Sequence, residues 1–296
     1  MKSKLISGFT FIKNGLSLGY PFRESIESIS PLCDEVIINV GFEDEECTKD
    51  DGTYKYLIEH FKDEKFVFLK SWWNPDLRSQ GLILSQQTNI ALEKITGKYG
   101  LYIQGDEAIH EDDYEKIRNG VEQLEQKPEA DALLFNYHHF YGSTNTVKVT
   151  KKTYRNELRL IRNGRGIKSW LDAQGFRYAD DKKINCIKID ATVYHYGWAR
   201  SEQLMDKKTK AFNSLYHGDN HKHEHFQYSR VWGLRPFSGT HPRVMKQWIE
   251  ENKNDIDILS LPLDLSFKDF RVILSDYVEY LTGIRFGEYK NYVLVK

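Results

Sequence analysis

Cysteine is scarce in this chain of 296 residues: Cys33, Cys47 and Cys186 are the whole set. Their odd number and the lack of any CxxC pair exclude a disulfide framework and a cysteine zinc or redox site. A reducing, cytoplasmic setting is therefore expected. No apolar run approaches the roughly 20 residues of a membrane span. The opening MKSKLISGFTF has a positive start but no signal-peptide apolar region or small-residue cleavage pattern, so no secretory leader is expected. Charge of one sign is also lacking, because 42 Lys and Arg against 43 Asp and Glu leave a formal charge of −1. That removes the electrostatic footprint of a nucleic-acid binder, and no nucleic-acid partner is expected. Internal repeats and low-complexity linkers are absent.

Aromatic residues are plentiful instead, with 18 Tyr, 16 Phe and 6 Trp making up 14% of the chain. They serve core packing, and exposed ones form flat platforms on which sugar rings and nucleobases stack. The length allows two domains or one α/β domain with a long insertion.

In the N-terminal third, apolar β-rich runs alternate with helical patterns, the signature of strand-helix-strand units and a mostly parallel sheet. Strands are predicted over Leu5 to Ile12, Glu35 to Val40, Lys65 to Lys70, Gly100 to Gln104 and Ala132 to Phe140. Ile26, Ile29 and Leu32 recur at helical spacing after Pro21, and Leu84, Ala91 and Ile95 share a helical face between Gly81 and Ile95, with Gly97 as C-cap. The acidic cluster Glu111, Asp112 and Asp113 suits the first turn of a helix carrying Ile117, Val121 and Leu124, which Pro128 ends. Beyond residue 140 the segments are short and polar-aromatic, an elaboration of the sheet. From about Ser201 the chain reads as mainly helical, with Pro236, Pro242 and Pro262 as breaks. The division expected is 1–200 for an α/β domain and 201–296 for a helical extension.

In an open α/β sheet, ligands bind beyond the carboxyl ends of the strands. Four places qualify. Thr10 to Gly15 ends the first strand in polar residues able to contact a base or ribose, or makes an ordinary strand-helix turn. Gly41 to Glu46, followed by Asp50-Asp51-Gly52-Thr53, is an acidic stretch that reads mostly as a solvated loop. Ser85 to Asn89 presents amides on a helix, facing either the cleft or solvent. Leu101-Tyr102-Ile103-Gln104-Gly105-Asp106-Glu107 is an apolar strand ending in two carboxylates. Paired acids there either ligate a divalent metal that holds phosphates or cap the next helix.

Taken in order, these pieces resemble a family-2 glycosyltransferase of the GT-A type. The resemblance is carried by Thr10 to Asn14, the helix Pro21-Phe22-Arg23-Glu24-Ser25-Ile26-Glu27-Ser28-Ile29, the strand Asp34 to Ile38, Asp51-Gly52-Thr53, Gln87-Thr88-Asn89, and Gln104-Gly105-Asp106-Glu107 at the DXD position. A bacterial subgroup is similar also in Trp170 to Phe176, in Tyr194-His195-Tyr196-Gly197-Trp198 and in Gly239-Thr240-His241-Pro242. The likeness spans most of residues 5 to 245.

The resemblance implies a GT-A, Rossmann-like fold, a nucleotide-diphospho-sugar donor, a glycan or lipid-linked acceptor, inversion at the anomeric carbon and a divalent cation, Mn²⁺ or Mg²⁺. Donor contacts then fall to Thr10, Phe11, Asn14, Glu43, Asn89, Gln104 and Asp106, with Asp106 and His195 as metal ligands. Gln104 stands where relatives carry the first acid, and Val40-Gly41 stands where an acid often recognises uracil. Inversion needs a general base to take the acceptor proton. Asp172, following Trp170, is the first candidate, with Asp180 and Asp181 behind it.

His221, His223 and His225 read as a solvated cluster or a metal site. Arg155, Arg159, Arg162 and Arg165 read as solvated charge or phosphate contacts. The basic-aromatic tail suggests a peripheral membrane contact or a homodimer. A competing reading is a nucleotide-sugar-binding module without transfer activity, and a third is nucleotidyl transfer, disfavoured by the absence of a Gly-rich basic loop near the first strand.

Overall fold

The run ISGFTFI leaves no polar face, and it forms Ile6–Ile12 (β1), buried at the centre of the sheet. The computed structural model describes residues 4–77, 81–217, 225–254, 256–285 and 287–295. On one side of β1 lie Glu35–Phe42 (β2) and then Phe66–Trp72 (β3), and on the other lies Tyr99–Tyr102 (β4), all parallel. Phe22–Ile29 (α1), Thr53–His60 (α2) and Leu82–Leu92 (α3) are the crossovers. Gly8 in β1 lets α1 come close, since a Cβ there would stand 2.9 Å from Ile29 Cδ1.

Beyond β4 the pairing becomes mixed. Glu107–Ile109 (β5), Ala132–Tyr141 (β6), Ser143–Lys148 (β7), Asn156–Arg162 (β8) and the long Ile184–Trp198 (β11) extend the sheet. Ile167–Trp170 (β9) and Gly175–Tyr178 (β10) form a separate hairpin. The main order is β7-β6-β8-β4-β1-β2-β3, with β11 parallel to β6 and antiparallel to β5. Leu234–Pro236 (β12) and Tyr292–Leu294 (β13) return from the tail to its edges. This is the expected α/β class, with a mixed and then mainly helical C-terminal part: Glu202–His217 (α5), Lys246–Glu251 (α6) and Phe267–Thr282 (α7).

Two apolar layers sandwich the sheet. Ile26, Ile29, Val121 and Leu124 from α1 and from Tyr114–Gln126 (α4) cover one face, and Phe9, Ala91, Tyr102 and Phe176 pack on the other.

Several expectations change. Of the acidic stretch, Glu43, Glu45 and Glu46 are exposed in a loop as expected, while Asp50 and Asp51 start α2: Asp50 accepts from Tyr54 N at 2.7 Å and Asp51 from Thr53 N at 3.1 Å, satisfying donors that a helix start leaves free. The strand expected to run to Gln104 stops at Tyr102, and the chain turns before β5, with Glu107 N donating to Gln104 O at 3.0 Å. Arg159 and Arg162 are buried, not solvated, because β8 is covered on both faces and every side chain from Glu157 to Arg162 is buried. His225 is exposed, while His221 and His223 lie outside the described residues. Among the described residues no helix is long and apolar enough to cross a membrane.

Candidate functional site

The turn after β4 sends its two carboxylates to different partners. Glu107 is fully buried and held by Arg159 in a bidentate pair, Nη2 to Oε1 at 2.7 Å and Nε to Oε2 at 3.0 Å, while Tyr137 Oη donates to Oε1 at 2.9 Å. That arrangement neutralises Glu107 and leaves it a structural role. Asp106 goes the other way, into a site built with β11. Ser25 of α1 pins the turn by donating to Gln104 O at 2.6 Å, and Tyr196 N donates to Asp106 O at 2.8 Å.

Around Asp106 Oδ2 stand Lys208 Nζ at 3.2 Å and His195 Nε2 at 3.6 Å. His195 and Gly197 share a face of β11 because strand side chains alternate. A Cβ on Gly197 would fall 2.5 Å from His195 Nε2, 2.6 Å from Asp106 Oδ2 and 2.9 Å from Lys208 Nζ. Glycine therefore keeps open the small space on which all three groups converge. Burial alone would raise the Asp106 pKa, but the Lys208 ammonium, with Arg200 nearby, outweighs it and holds the carboxyl well below the usual range. Burial pushes Lys208 down to about 8 against the opposing pull of Asp106.

The hydrogen bonds around His195 decide which ring nitrogen is bare. His139 Nε2 lies 2.8 Å from Tyr154 O, a pure acceptor, so that nitrogen carries a proton. Burial pushes the His139 pKa down to about 3, so the ring is neutral and its Nδ1 accepts from His195 Nδ1 at 3.2 Å. In neutral His195 the lone pair then sits on Nε2, aimed with Asp106 Oδ2 into the space at Gly197. A carboxylate oxygen and a bare imidazole nitrogen facing one gap suit a divalent cation that takes its other ligands from phosphate and water. Among the described residues no third His, Cys, Asp or Glu joins them in a metal-type cluster.

The other expected residues are distributed around this centre. Phe11 pairs with Trp73 at 6.0 Å between centroids, forming an aromatic wall with Ile83, Ala173 and Phe212. Asn14 turns the chain at φ 53°, and its Oδ1 and the neighbouring Lys13 Nζ are buried without hydrogen-bond partners. Glu43 is exposed and reaches Lys13 Nζ at 3.5 Å. Gln104 Nε2 donates to Ala173 O at 3.2 Å, tying the DXD-like turn to the β9–β10 hairpin. Asp172 sits at the tip of that hairpin, exposed, between Leu171 at φ 49° and Ala173 at φ 59°. Two non-glycine residues in the left-handed region are a costly way to present one carboxylate. Its Oδ1 accepts only a long bond from Gln174 N at 3.4 Å.

Two of the expected donor contacts bond to the protein's own main chain. Thr10 is fully buried in β1, where its hydroxyl reaches Phe11 O at 3.5 Å. The Asn89 amide is engaged by the Ser169 main chain, accepting at 2.8 Å and donating at 3.4 Å, so it fastens the hairpin to α3. Both shape the site from behind. Asp180 and Asp181 lie in the turn after β10, in surface pairs with Lys182 and Lys168.

Sequence reading missed Lys208, Arg200, His139 and Tyr20. Lys208 lies on α5 between the exposed Lys207 and Lys210, and no spacing distinguishes it. Arg200, at the end of the His195-Tyr196-Gly197-Trp198 segment, was the one within reach of a motif. The late segments do meet: Tyr196 Oη pairs with His241 Nδ1 at 2.9 Å and His110 Nε2 with Thr240 Oγ1 at 3.0 Å.

No family profile matches the chain, and no curated protein matches it in sequence. Solved structures that it resembles are a mannosyltransferase, PcManGT, from Pyrobaculum calidifontis in complex with GDP-Man and Mn²⁺ (18% identity, 45% of this chain and 35% of that one, TM-score 0.31), and TarS of S. aureus (13% identity, 70% and 39%, TM-score 0.39). A third is glucosyl-3-phosphoglycerate synthase from Mycobacterium tuberculosis in complex with Mn²⁺, UDP and phosphoglyceric acid (16% identity, 45% and 43%, TM-score 0.29). In each case the matched region is less than half of the solved chain.

Proposed function

We propose that this chain is a GT-A glycosyltransferase of the family-2 type, moving a sugar from a nucleoside-diphosphate donor to a hydroxyl of a glycan or lipid-linked acceptor with inversion. The observation that carries the reading is the convergence of Asp106 Oδ2 and His195 Nε2 on the space kept open by Gly197, at the carboxyl end of a central parallel strand. Mn²⁺ or Mg²⁺ held by Asp106 and His195 would supply Lewis-acid stabilisation of the diphosphate charge. His139 holds the His195 ring in the tautomer this requires. Phe11 and Trp73 offer the base a stacking wall, and the unbonded Asn14 Oδ1, with Lys13 Nζ beside Glu43, offers it polar contacts.

In the transfer step, the acceptor oxygen bonds to the anomeric carbon on the face opposite the leaving group. Asp172 takes the hydroxyl proton, and the anomeric carbon–oxygen bond breaks with its electron pair passing to the diphosphate. The strained hairpin tip keeps that carboxylate exposed and nearly free of competing hydrogen bonds. A contact with a second copy of the chain, or with a membrane surface, falls to the exposed apolar stripe of α7.

The test is donor hydrolysis and thermal stabilisation across UDP-, GDP- and dTDP-sugars with Mn²⁺, Mg²⁺ or EDTA. Metal-dependent turnover of one donor that vanishes in Asp106→Ala supports the reading. Binding without turnover across a broad acceptor panel would make the chain a nucleotide-sugar-binding module, the reading that Gln104 in place of the first acid favours.

A further inference from the structure

The site holds more buried positive charge than its carboxylate can balance. Lys208 is 6% exposed and Arg200 is not exposed at all. The Lys208 ammonium is bonded to Asp106 Oδ2 and to Gly197 O at 2.8 Å, with the rings of Tyr20, Trp198 and Phe212 5.5 to 5.6 Å away. Arg200 lies 4.4 Å over the Tyr20 ring and is held by main-chain carbonyls, donating to Leu18 O at 2.5 Å and Gly197 O at 3.1 Å. Among the described residues no carboxylate forms an ion pair with Arg200, and its Nε is buried without a partner. Two buried cations therefore share one carboxylate, and that carboxylate is also the group best placed to hold a metal.

Buried charge without a counter-ion is costly, and chains retain it where a ligand brings the opposite charge. Carbonyls and aromatic faces can hold a cation in place but cannot neutralise it. The missing charge is negative, it must fit beside Gly197, and it must tolerate a cation bound to Asp106. A diphosphate meets all three conditions.

We infer that Lys208, backed by Arg200, is a binding residue for the diphosphate of the donor, placed on α5 to receive the charge that develops on the leaving group. Lys208 acts as the compact point charge, with a proton to give to a phosphate oxygen. Arg200 acts through position: it ties the Leu18 carbonyl to Gly197 and keeps Tyr20 against the ammonium. The inference rests on the glycosyl-transfer reading, but it assigns the diphosphate a protein contact that does not depend on metal.

The experiment compares UDP with UMP, and GDP with GMP, by calorimetric titration in EDTA and again in Mn²⁺. For the wild type in EDTA the diphosphate is expected to bind at least tenfold more tightly than the monophosphate. Lys208→Met keeps the packing against Tyr20, Trp198 and Phe212 and removes the charge, and should bring that ratio close to one while leaving monophosphate affinity within about twofold. An unchanged ratio in Lys208→Met overturns the inference and leaves the transferase reading standing. No nucleotide binding by the wild type in either condition overturns the reading itself, and this inference with it. Because the variant leaves Asp106 without its ammonium and can lose stability, a second measurement uses the wild type alone. Inorganic pyrophosphate in EDTA should raise Tm more than sulfate at equal ionic strength, and equal shifts would refute the assignment.

Discussion

Lys208 Nζ stands 3.2 Å from Asp106 Oδ2, and both residues are buried and hydrogen-bonded to the β11 main chain, at Gly197 O and Tyr196 N. The pair is at once an electrostatic support for the fold and the front of the candidate site. Asp106→Ala should therefore do two separable things. Donor turnover should fall roughly a hundredfold or more, as several kcal/mol of charge stabilisation is lost. Stability should fall by about 3–5 kcal/mol, because Lys208 and Arg200 are left buried without a counter-charge. Adding Lys208→Met to Asp106→Ala should recover part of the denaturant midpoint and none of the turnover.

Gly197 makes the space in the site a matter of one methyl group. In Gly197→Ala the new Cβ would meet His195 Nε2 at 2.5 Å and Asp106 Oδ2 at 2.6 Å, and neither can retreat freely. A cost of about 1–3 kcal/mol is expected for the overpacking. Stabilisation of the protein by Mn²⁺ with UDP should disappear, which a thermal melt with and without the two ligands reads directly.

Arg159 and Glu107 support the same turn from the opposite side. Arg159→Met leaves Glu107 buried and unpaired, and a loss of about 3–5 kcal/mol in urea unfolding is expected. A change under about 1 kcal/mol would mean that Tyr137 and the backbone suffice to hold the carboxylate.

Glu157 gives a pH signature free of the metal question. Its Oε2 is buried without a partner, and burial raises its pKa to about 7 despite Arg159 nearby. The folded state thus binds a proton that the unfolded chain releases near pH 4.5. Stability from this group is present in full below about pH 4.5 and is lost as pH rises toward 7, by on the order of 1–3 kcal/mol. Glu157→Gln keeps a neutral side chain at all pH values, so its melting temperature should decline less across that window than that of the wild type.

The α7 stripe is a test of association. Phe267, Phe270, Leu274, Tyr277 and Leu281 follow a 3,4 spacing and are 58 to 89% exposed, while Asp269 and Glu279 on the helix pair with Lys152 and Arg155. Phe270→Ser with Leu274→Ser should leave stability within about 0.5 kcal/mol. Sedimentation velocity or liposome flotation that distinguishes the variant from the wild type would identify this face as a contact surface.

Local pattern alone carried the α/β class, the strands β1 to β4 and β6 to within two residues at each end, and the placement of Asp106 at the end of a central strand, while the short β5 was missed. Those features follow from apolar runs and from the rule that ligands sit at strand ends, both written in residues close together in sequence. The resemblance to family-2 glycosyltransferases, rather than local pattern, pointed to His195 and Asp172. Local pattern could not separate Asp106 from its neighbour Glu107. Their different tasks depend on Arg159 and Lys208, which are 52 and 102 residues from their carboxylates and reach them only once β8, β11 and α5 have packed. The same holds for Asn89, an apparent ligand-facing amide until Ser169 is brought beside it. A lysine on a polar helix looks solvated in sequence because solvation is the default for its type. Burial against three aromatic rings, a carbonyl and one carboxylate is a property of packing, and that packing turns Lys208 from a surface charge into part of the site.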